Sequence, residues 1–321
     1  MLVDNWGRKI NYLRVSITDK CNFRCRYCMP EEGIAHLGHE NMLRIEEMSR
    51  IIGIFAKEGV DRIRITGGEP LVHKGIISLI ASLKDMGIND LSLTTNGVML
   101  TKLAKELKES GVDRVNISLD SLDSERFSWI TRGGDLQDVL NGIEAALAAH
   151  LDPVKINMVV VKGLNDNEVV ALSEMAINKP LHIRFIELMP VGKDGIWSKE
   201  NFVPTADTMA KIEAAGYHLM PWKVRGNGPA EVYTVKDWQG TVGFIHAVSS
   251  HFCSQCNRLR LASDGKLYPC LHSDISVDII TPIRNGATDE QLLEIIKNAV
   301  NLKPERSKLG TQNQCMNTIG G

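Results

Sequence analysis

The stretch Leu13-Arg14-Val-Ser-Ile-Thr-Asp19-Lys20-Cys21-Asn22-Phe23-Arg24-Cys25-Arg26-Tyr27-Cys28 runs from a β-branched segment straight into three cysteines spaced C-x3-C-x2-C. Thiolates are soft ligands suited to iron–sulfur clusters or zinc. A cluster normally takes four ligands, and the next cysteine is Cys253, so the local set is one short. An iron without a protein ligand is an open coordination position where a small molecule can bind. Placement matters as much as spacing, because the loop after a strand is where parallel βα folds carry their chemistry. His36 and His39 could complete a zinc set on paper. The sequence that follows favours the cluster.

Outward from this loop, β-branched runs alternate with helical patterns. Strands are expected near 13–18, 62–66, 91–96, 115–120, 154–161 and 182–189, and helices near 45–58, 74–86, 101–110, 135–149 and 167–177. Gly59, Gly87 and Gly111 stand where helix C-caps should be. Six βα units make an incomplete (βα)6 TIM-like barrel, since a closed barrel takes eight, so the open side needs a cover. From about Asn201 the pattern changes to a helix near 207–215, short strands near 231–236, 241–247, 258–262 and 266–270, and a last helix near 289–301. The expected division is a barrel over 1–200 and a smaller α/β segment over 201–321 that lays a second cysteine triad over the barrel mouth.

The chain has 321 residues, 43% of them hydrophobic, and a formal net charge of −2. That charge gives no general attraction to nucleic acid or anionic membrane, so phosphate binding would need a local cluster of Arg and Lys. The absence of a signal-like or membrane-length apolar run reads as cytoplasmic. The seven cysteines fall as three, three and one, which is not a disulfide pattern. Cys315 is expected to be a free thiol.

At the strand tips, Thr66-Gly67-Gly68-Glu69-Pro70 offers two glycines that let backbone approach a small zwitterion closely. Thr94-Thr95-Asn96-Gly97, Ser118-Leu119-Asp120, Lys155 with Asn157, and Glu187-Leu188-Met189-Pro190 supply further polar tips, some of which could only cap the next helix. The second triad is Cys253, Cys256 and Cys270, again without a fourth cysteine. Zinc with Cys3His ligation competes here, because His246, His251 and His272 are close in sequence. Arg258 and Arg260 tilt the balance, since strand alternation aims both guanidiniums to one side, beside the open metal position.

The C-x3-C-x2-C loop with Tyr27 before its last cysteine, followed one unit later by Gly67-Gly68-Glu69-Pro70, resembles the radical S-adenosylmethionine (SAM) superfamily. With the second triad, Asn116-Ile-Ser-Leu-Asp120, Arg184-Phe-Ile-Glu187 and the closing Gly320-Gly321, nearly the whole chain resembles the GTP 3′,8-cyclase family of molybdenum cofactor biosynthesis. Lys20 stands where Arg is expected, which keeps the charge. The resemblance implies two [4Fe–4S] clusters on Cys21, Cys25, Cys28 and on Cys253, Cys256, Cys270. It implies SAM contacts from Tyr27, Gly68, Ser118 and Met189, and GTP contacts from Arg14, Arg64, Thr94, Lys155, Arg258 and Arg260. Arg14, Arg258, Arg260, Gly320 and Gly321 would act in catalysis. The implied reaction is removal of the GTP 3′ hydrogen by a 5′-deoxyadenosyl radical and C3′–C8 bond formation. Implied partners are a reducing electron donor, the next enzyme of the pathway and a second copy in a homodimer, with no nucleic acid and no membrane. Two other readings stay open from the residues alone: a radical SAM peptide-modifying enzyme with an auxiliary cluster, and a zinc-stabilised binding module.

Overall fold

The computed structural model describes residues 1–33, 38–190, 198–223, 228–250 and 252–307; His36, His251, Cys315, Gly320 and Gly321 lie outside them. The six expected units are present as β1 (Tyr12–Ser16), α1 (Ile45–Lys57), β2 (Arg62–Thr66), α2 (Ile76–Lys84), β3 (Asp90–Thr95), α3 (Leu100–Ser110), β4 (Arg114–Ser118), α4 (Ser124–Thr131), α5 (Leu136–Ala148), β5 (Val154–Val160), α6 (Val169–Glu174) and β6 (Leu181–Glu187). After them come α7 (Thr205–Ala214), β7 (Met220–Pro221), β8 (Glu231–Thr234), β9 (Thr241–Ile245), β10 (Arg258–Leu261), β11 (Lys266–Tyr268), β12 (Val277–Asp278), α8 (Ile280–Arg284) and α9 (Asp289–Asn301). Among the described residues, no helix is long and apolar enough to cross a membrane.

The twelve strands among the described residues share one sheet in the order β12-β11-β10-β1-β2-β3-β4-β5-β6-β9-β8-β7. β1 to β6 are parallel neighbours in chain order, and the later segment adds a parallel strand at each side, β9 against β6 and β10 against β1. The open side of the six-unit barrel is thus flanked by strands that bring the second triad with them. Strand alternation sorts the residues by face. One face carries Leu13, Val15, Ile63, Ile65, Leu91, Leu93, Val115, Ile117, Ile156, Ile183 and Phe185, all buried in the main apolar core. That core includes the inner faces of α1, α2, α3 and α5 through Ile51, Phe55, Leu79, Leu83, Leu107 and Ile143. The other face carries Arg14, Arg64, Ser92, Asn116, Asn157, Arg184 and Arg260. Gly111 ends α3 in the left-handed region at φ 118, as its expected capping role requires.

α4 did not stand out in the sequence, because Ser124–Thr131 has only a weak apolar stripe. Asp123 starts it by accepting from the Arg126 amide. Its last turn matters to the site, since the Ile130 and Thr131 carbonyls accept from the Arg26 and Arg24 amides of the cysteine loop.

Candidate active site

The cysteine loop is held from three sides. The Tyr27 hydroxyl donates to Asp120 Oδ2 at 2.6 Å, tying the loop to the tip of β4, while Asp120 Oδ1 accepts from the Val159 amide at 2.9 Å. Arg132 Nη1 donates to the carbonyls of Arg24 and Met29 at 2.6 and 3.0 Å. The Gly68 and Glu69 amides donate to the Thr18 and Lys20 carbonyls at 2.7 and 2.8 Å. A Cβ on Gly68 would lie 2.3 Å from the Lys20 carbonyl oxygen, and one on Gly67 would lie 2.7 Å from that of Thr18. Those glycines are therefore needed for the loop to close against β2, in addition to any ligand they admit. Glu69 locks the next strand, accepting from Thr95 Oγ1 at 2.8 Å and from the Asn96 amide at 2.7 Å. Burial pushes Glu69 up to about 7 despite those donors, and likewise pushes Asp120 up to about 6 against the Tyr27 and Val159 donors.

Cys21, Cys25 and Cys28 line one end of a cavity of about 270 Å³. Tyr27, Gly68, Thr94, Ser118 and Met189 share that cavity, as do Arg14, Arg64, Arg258 and Arg260. Cys253, Cys256 and Cys270 line an adjoining cavity of about 80 Å³ that shares Met189, Phe252, Arg258 and Arg260 with the first. The two triads therefore face a common space. Lys155 lies lower, with Arg14, Arg64, Arg184 and Arg258, in a pocket of about 80 Å³ toward the N-terminal ends of the strands. Of the expected site residues, only Gly320 and Gly321 fall outside the description.

The thiols fit iron–sulfur ligation by their surroundings. The Phe23 amide points at Cys21 Sγ from 3.4 Å, the Ser307 amide at Cys253 Sγ from 3.4 Å, and the Lys303 ammonium at Cys256 Sγ from 3.5 Å. Such donors stabilise thiolate on a metal. Burial pushes Cys21 up to about 11 and Cys25 well above the usual thiol range, so loading that site releases protons. At Cys256, burial is outweighed by Lys303 and Arg258, and the thiol sits below its ordinary value. The histidines considered as zinc ligands divide. His246 is engaged with Thr205 and lies 3.2 Å from Glu231, whereas His272 lines the second triad's cavity.

Below the two cysteine triads the barrel lining is strongly cationic. The lower pocket has seven Arg or Lys side chains and one carboxylate, Asp90, which is paired with Arg114. Several buried polar atoms of the barrel lining have no hydrogen-bond partner among the described residues: Arg14 Nε, Arg184 Nε, Arg258 Nε, Thr94 Oγ1, Asn157 Oδ1 and the Tyr12 hydroxyl. A buried polar atom left unpaired is costly, so the three guanidinium nitrogens and two hydroxyls call for a ligand rich in acceptors, and Asn157 Oδ1 for a donor on it. Burial, then Arg260 and Arg64, lower Arg14 well below its usual value. Burial and neighbouring cations bring Arg184 to about 9 and Lys155 to about 7. Such crowding of positive charge destabilises the empty site and favours a polyanion.

Tyr12, Arg62, Arg114, Asn116, Asn157 and Arg184 join the expected site residues, and strand alternation is the signal in the sequence that points to them. Steps of two reach Tyr12 from Arg14, Arg62 from Arg64, Asn116 and Arg114 from Ser118, and Asn157 from Lys155, while Arg184 takes the polar face through its register with Asn157. Lys303, which also donates to the carbonyls of Arg258 and Pro269 at 2.8 Å, follows α9 with no motif around it.

Residues 15–176 match the family model described as the radical SAM superfamily, and residues 181–309 match the one described as Molybdenum Cofactor Synthesis C. The chain is similar to proteins called GTP 3′,8-cyclase, with 49% identity to that of Heliobacterium modesticaldum, covering 100% of both chains. Identity is 48% to that of Pelotomaculum thermopropionicum, covering 99% of both, and 47% to that of Moorella thermoacetica at the same coverage. Among solved structures it resembles Streptococcus suis SuiB bound to S-adenosylmethionine, with TM-score 0.59, 14% identity, 84% of this chain and 63% of that chain covered. It also resembles anSMEcpe with bound AdoMet and a peptide, with TM-score 0.54, 17% identity, 89% of this chain and 81% of that one covered. The structural likenesses speak for the fold alone. Two joined cysteine triads on a polar-lined partial barrel, and full-length identity near one half to proteins of a single activity, have one reading: the chain belongs to the radical SAM superfamily and, within it, to the GTP 3′,8-cyclase family.

Proposed function

We propose that this protein converts GTP to 3′,8-cyclo-7,8-dihydro-GTP, the first step of molybdenum cofactor biosynthesis, using two [4Fe–4S] clusters and SAM. The observation that carries the reading is the continuity of the two triads' cavities with the cationic floor. It lets one nucleotide reach from the second triad to the arginines while its ribose lies before the first. When bound, the first cluster and SAM supply a primary carbon radical that removes a hydrogen atom.

The chain's own residues hold the reactants. Tyr27, Gly68, Ser118 and Met189 line the SAM end, where the Tyr27–Asp120 bond fixes the loop that carries the triad. Arg14, Arg64, Thr94, Lys155, Arg258 and Arg260 receive GTP, and Arg184 joins them. A triphosphate carries about four negative charges, and guanidinium forks suit its oxygens better than ammonium groups do. Fixing the purine at one end and the phosphates at the other sets the distance of C3′ from C8, an orientational contribution that needs no proton transfer from the protein. Arg14, Arg258 and Arg260 border both substrate and reaction space and take the catalytic positioning role, together with the terminal Gly320-Gly321. The division into a barrel over 1–200 and a substrate-binding segment over 201–321 follows the same logic.

A reducing electron donor supplies the first cluster, the cyclised nucleotide passes to the next enzyme of the pathway, and a homodimer in the cytoplasm, where thiols stay reduced, is the setting. The test is anaerobic loading with iron and sulfide, then reduction with SAM present. Formation of 5′-deoxyadenosine and cyclised nucleotide with GTP, and neither with ATP, supports the reading. Equal SAM consumption with both nucleotides and no cyclised product overturns it.

A further inference from the structure

Tyr12 opens β1 at the floor of the site, one strand pair below the level of Arg14. It pairs in register with Arg62 on one side and Arg258 on the other. Its residue surface is 7% exposed, and its hydroxyl has no hydrogen-bond partner among the described residues. The guanidinium carbon of Arg64 lies 5.6 Å from the ring centroid and that of Arg258 lies 5.9 Å from it. Both are within reach of the negative ring face. The carboxylate lining this floor, Asp90, is engaged with Arg114 and does not relieve the phenol. Tyr12 lines the lower pocket and not the cavities that the cysteines line, which places it at the end farthest from both triads.

We propose that Tyr12 is a phosphate-binding and arginine-positioning residue: its hydroxyl donates to an oxygen of the substrate's triphosphate, while its ring braces Arg64 and Arg258 against that group. The proposal rests on the GTP reading above. The chemistry is that of a hydroxyl set among guanidiniums, able to donate where an anion's lone pairs crowd. Burial pushes the phenol up, but Arg64, Arg14, Arg258 and Arg114 together outweigh it and bring it down to about 8. A phenol made more acidic by neighbouring cations is also the stronger donor. Because the ring and the hydroxyl do different things, two substitutions separate them. Tyr12→Phe keeps the brace and deletes the donor; Tyr12→Leu deletes both.

The test is calorimetric titration of the cluster-loaded protein with GTP, guanosine and sodium tripolyphosphate, with iron content checked for each variant. In Tyr12→Phe, affinities for GTP and tripolyphosphate should fall about tenfold or more, the size of one hydrogen bond to a charged group, while guanosine binding stays within about twofold. In Tyr12→Leu the GTP loss should be larger still, again with guanosine spared. GTP and tripolyphosphate affinities in Tyr12→Phe within about twofold of the unsubstituted protein overturn the proposal and make the hydroxyl a bystander. Equal loss for guanosine makes Tyr12 a structural strut and overturns it too. If the unsubstituted protein binds GTP no better than guanosine, the triphosphate reading of the floor itself fails, a result visible before any variant is made.

Discussion

Arg184 should weaken the empty protein that it equips for its substrate, and replacing it by Met tests that trade directly. Its residue surface is 6% exposed, its Nη2 donates to Asn116 Oδ1 at 2.5 Å, its Nε has no partner among the described residues, and its charged neighbours include Arg64, Arg114 and Arg258. Burial first and these cations next lower it from its ordinary value to about 9, so the folded chain disfavours the charged guanidinium by roughly 4–5 kcal/mol. The folded value lies below the unfolded one, so this cost is present in full below about pH 9 and is relieved only as the pH rises from there toward the ordinary guanidinium range. Arg184→Met removes it at neutral pH. Against that gain stands the loss of the Asn116 bond, about 1–3 kcal/mol, leaving a net stabilisation of about 1–4 kcal/mol. At about 2–4 °C per kcal/mol, scanning calorimetry of the cluster-loaded variant without nucleotide should show a midpoint raised by several degrees. GTP titration should show affinity down by roughly tenfold to 150-fold, the worth of a charge-assisted bond. A lowered midpoint with unchanged GTP affinity would refute the reasoning and make Arg184 a structural strut.

Serine in place of Cys21, Cys25 or Cys28 should abolish 5′-deoxyadenosine formation, because a hard alkoxide replaces a soft thiolate on iron; substantial product by chromatography would sink the first cluster's assignment. Lys155, held near 7 by burial and by Arg184, Arg114 and Arg64, is protonated below that pH and should take up a proton when GTP binds above it. Binding heats measured near pH 8 in buffers of different ionisation enthalpy should reveal that uptake, and Lys155→Met should diminish it. Lys303→Met leaves the Arg258 and Pro269 carbonyls and Cys256 without their donor, so iron per chain should fall by about half through loss of the second cluster, with SAM cleavage retained. Full iron content there would show that the thiolates alone suffice. Deleting Gly320 and Gly321 should spare iron content and GTP affinity but suppress cyclisation, and near-normal turnover would make the tail a bystander.

Much of this site was legible because its chemistry sits in unusual residues at strand tips. Cys21, Cys25 and Cys28 cannot be mistaken for packing, and the βα period places their loop at the barrel mouth. The strands from β1 to β6 fall within a few residues of expectation because each is a short apolar run bounded by a Gly or a polar tip. Less legible was how the barrel's open side is flanked. β9 and β10 read as short alternating strands of a separate segment, and nothing local in Thr241–Ile245 or Arg258–Leu261 specifies pairing with β6 and β1, a long-range choice made by the whole sheet. The cationic floor was half legible. Arg14 and Arg184 stand in motifs, whereas Tyr12 is the first residue of β1 and belongs to none, so its inward direction follows only once a register is fixed. Lys303 carried no signal, since its role depends on three contacts distant in sequence.

The central claim is that one space holds the radical source and the ribose of GTP together, and the measurement closest to it uses GTP carrying deuterium at C3′. Reduced, cluster-loaded protein incubated with SAM and this substrate should yield 5′-deoxyadenosine bearing one deuterium, in step with cyclised nucleotide lacking it, by mass spectrometry. 5′-Deoxyadenosine free of deuterium, formed while the nucleotide keeps its label, would contradict the account.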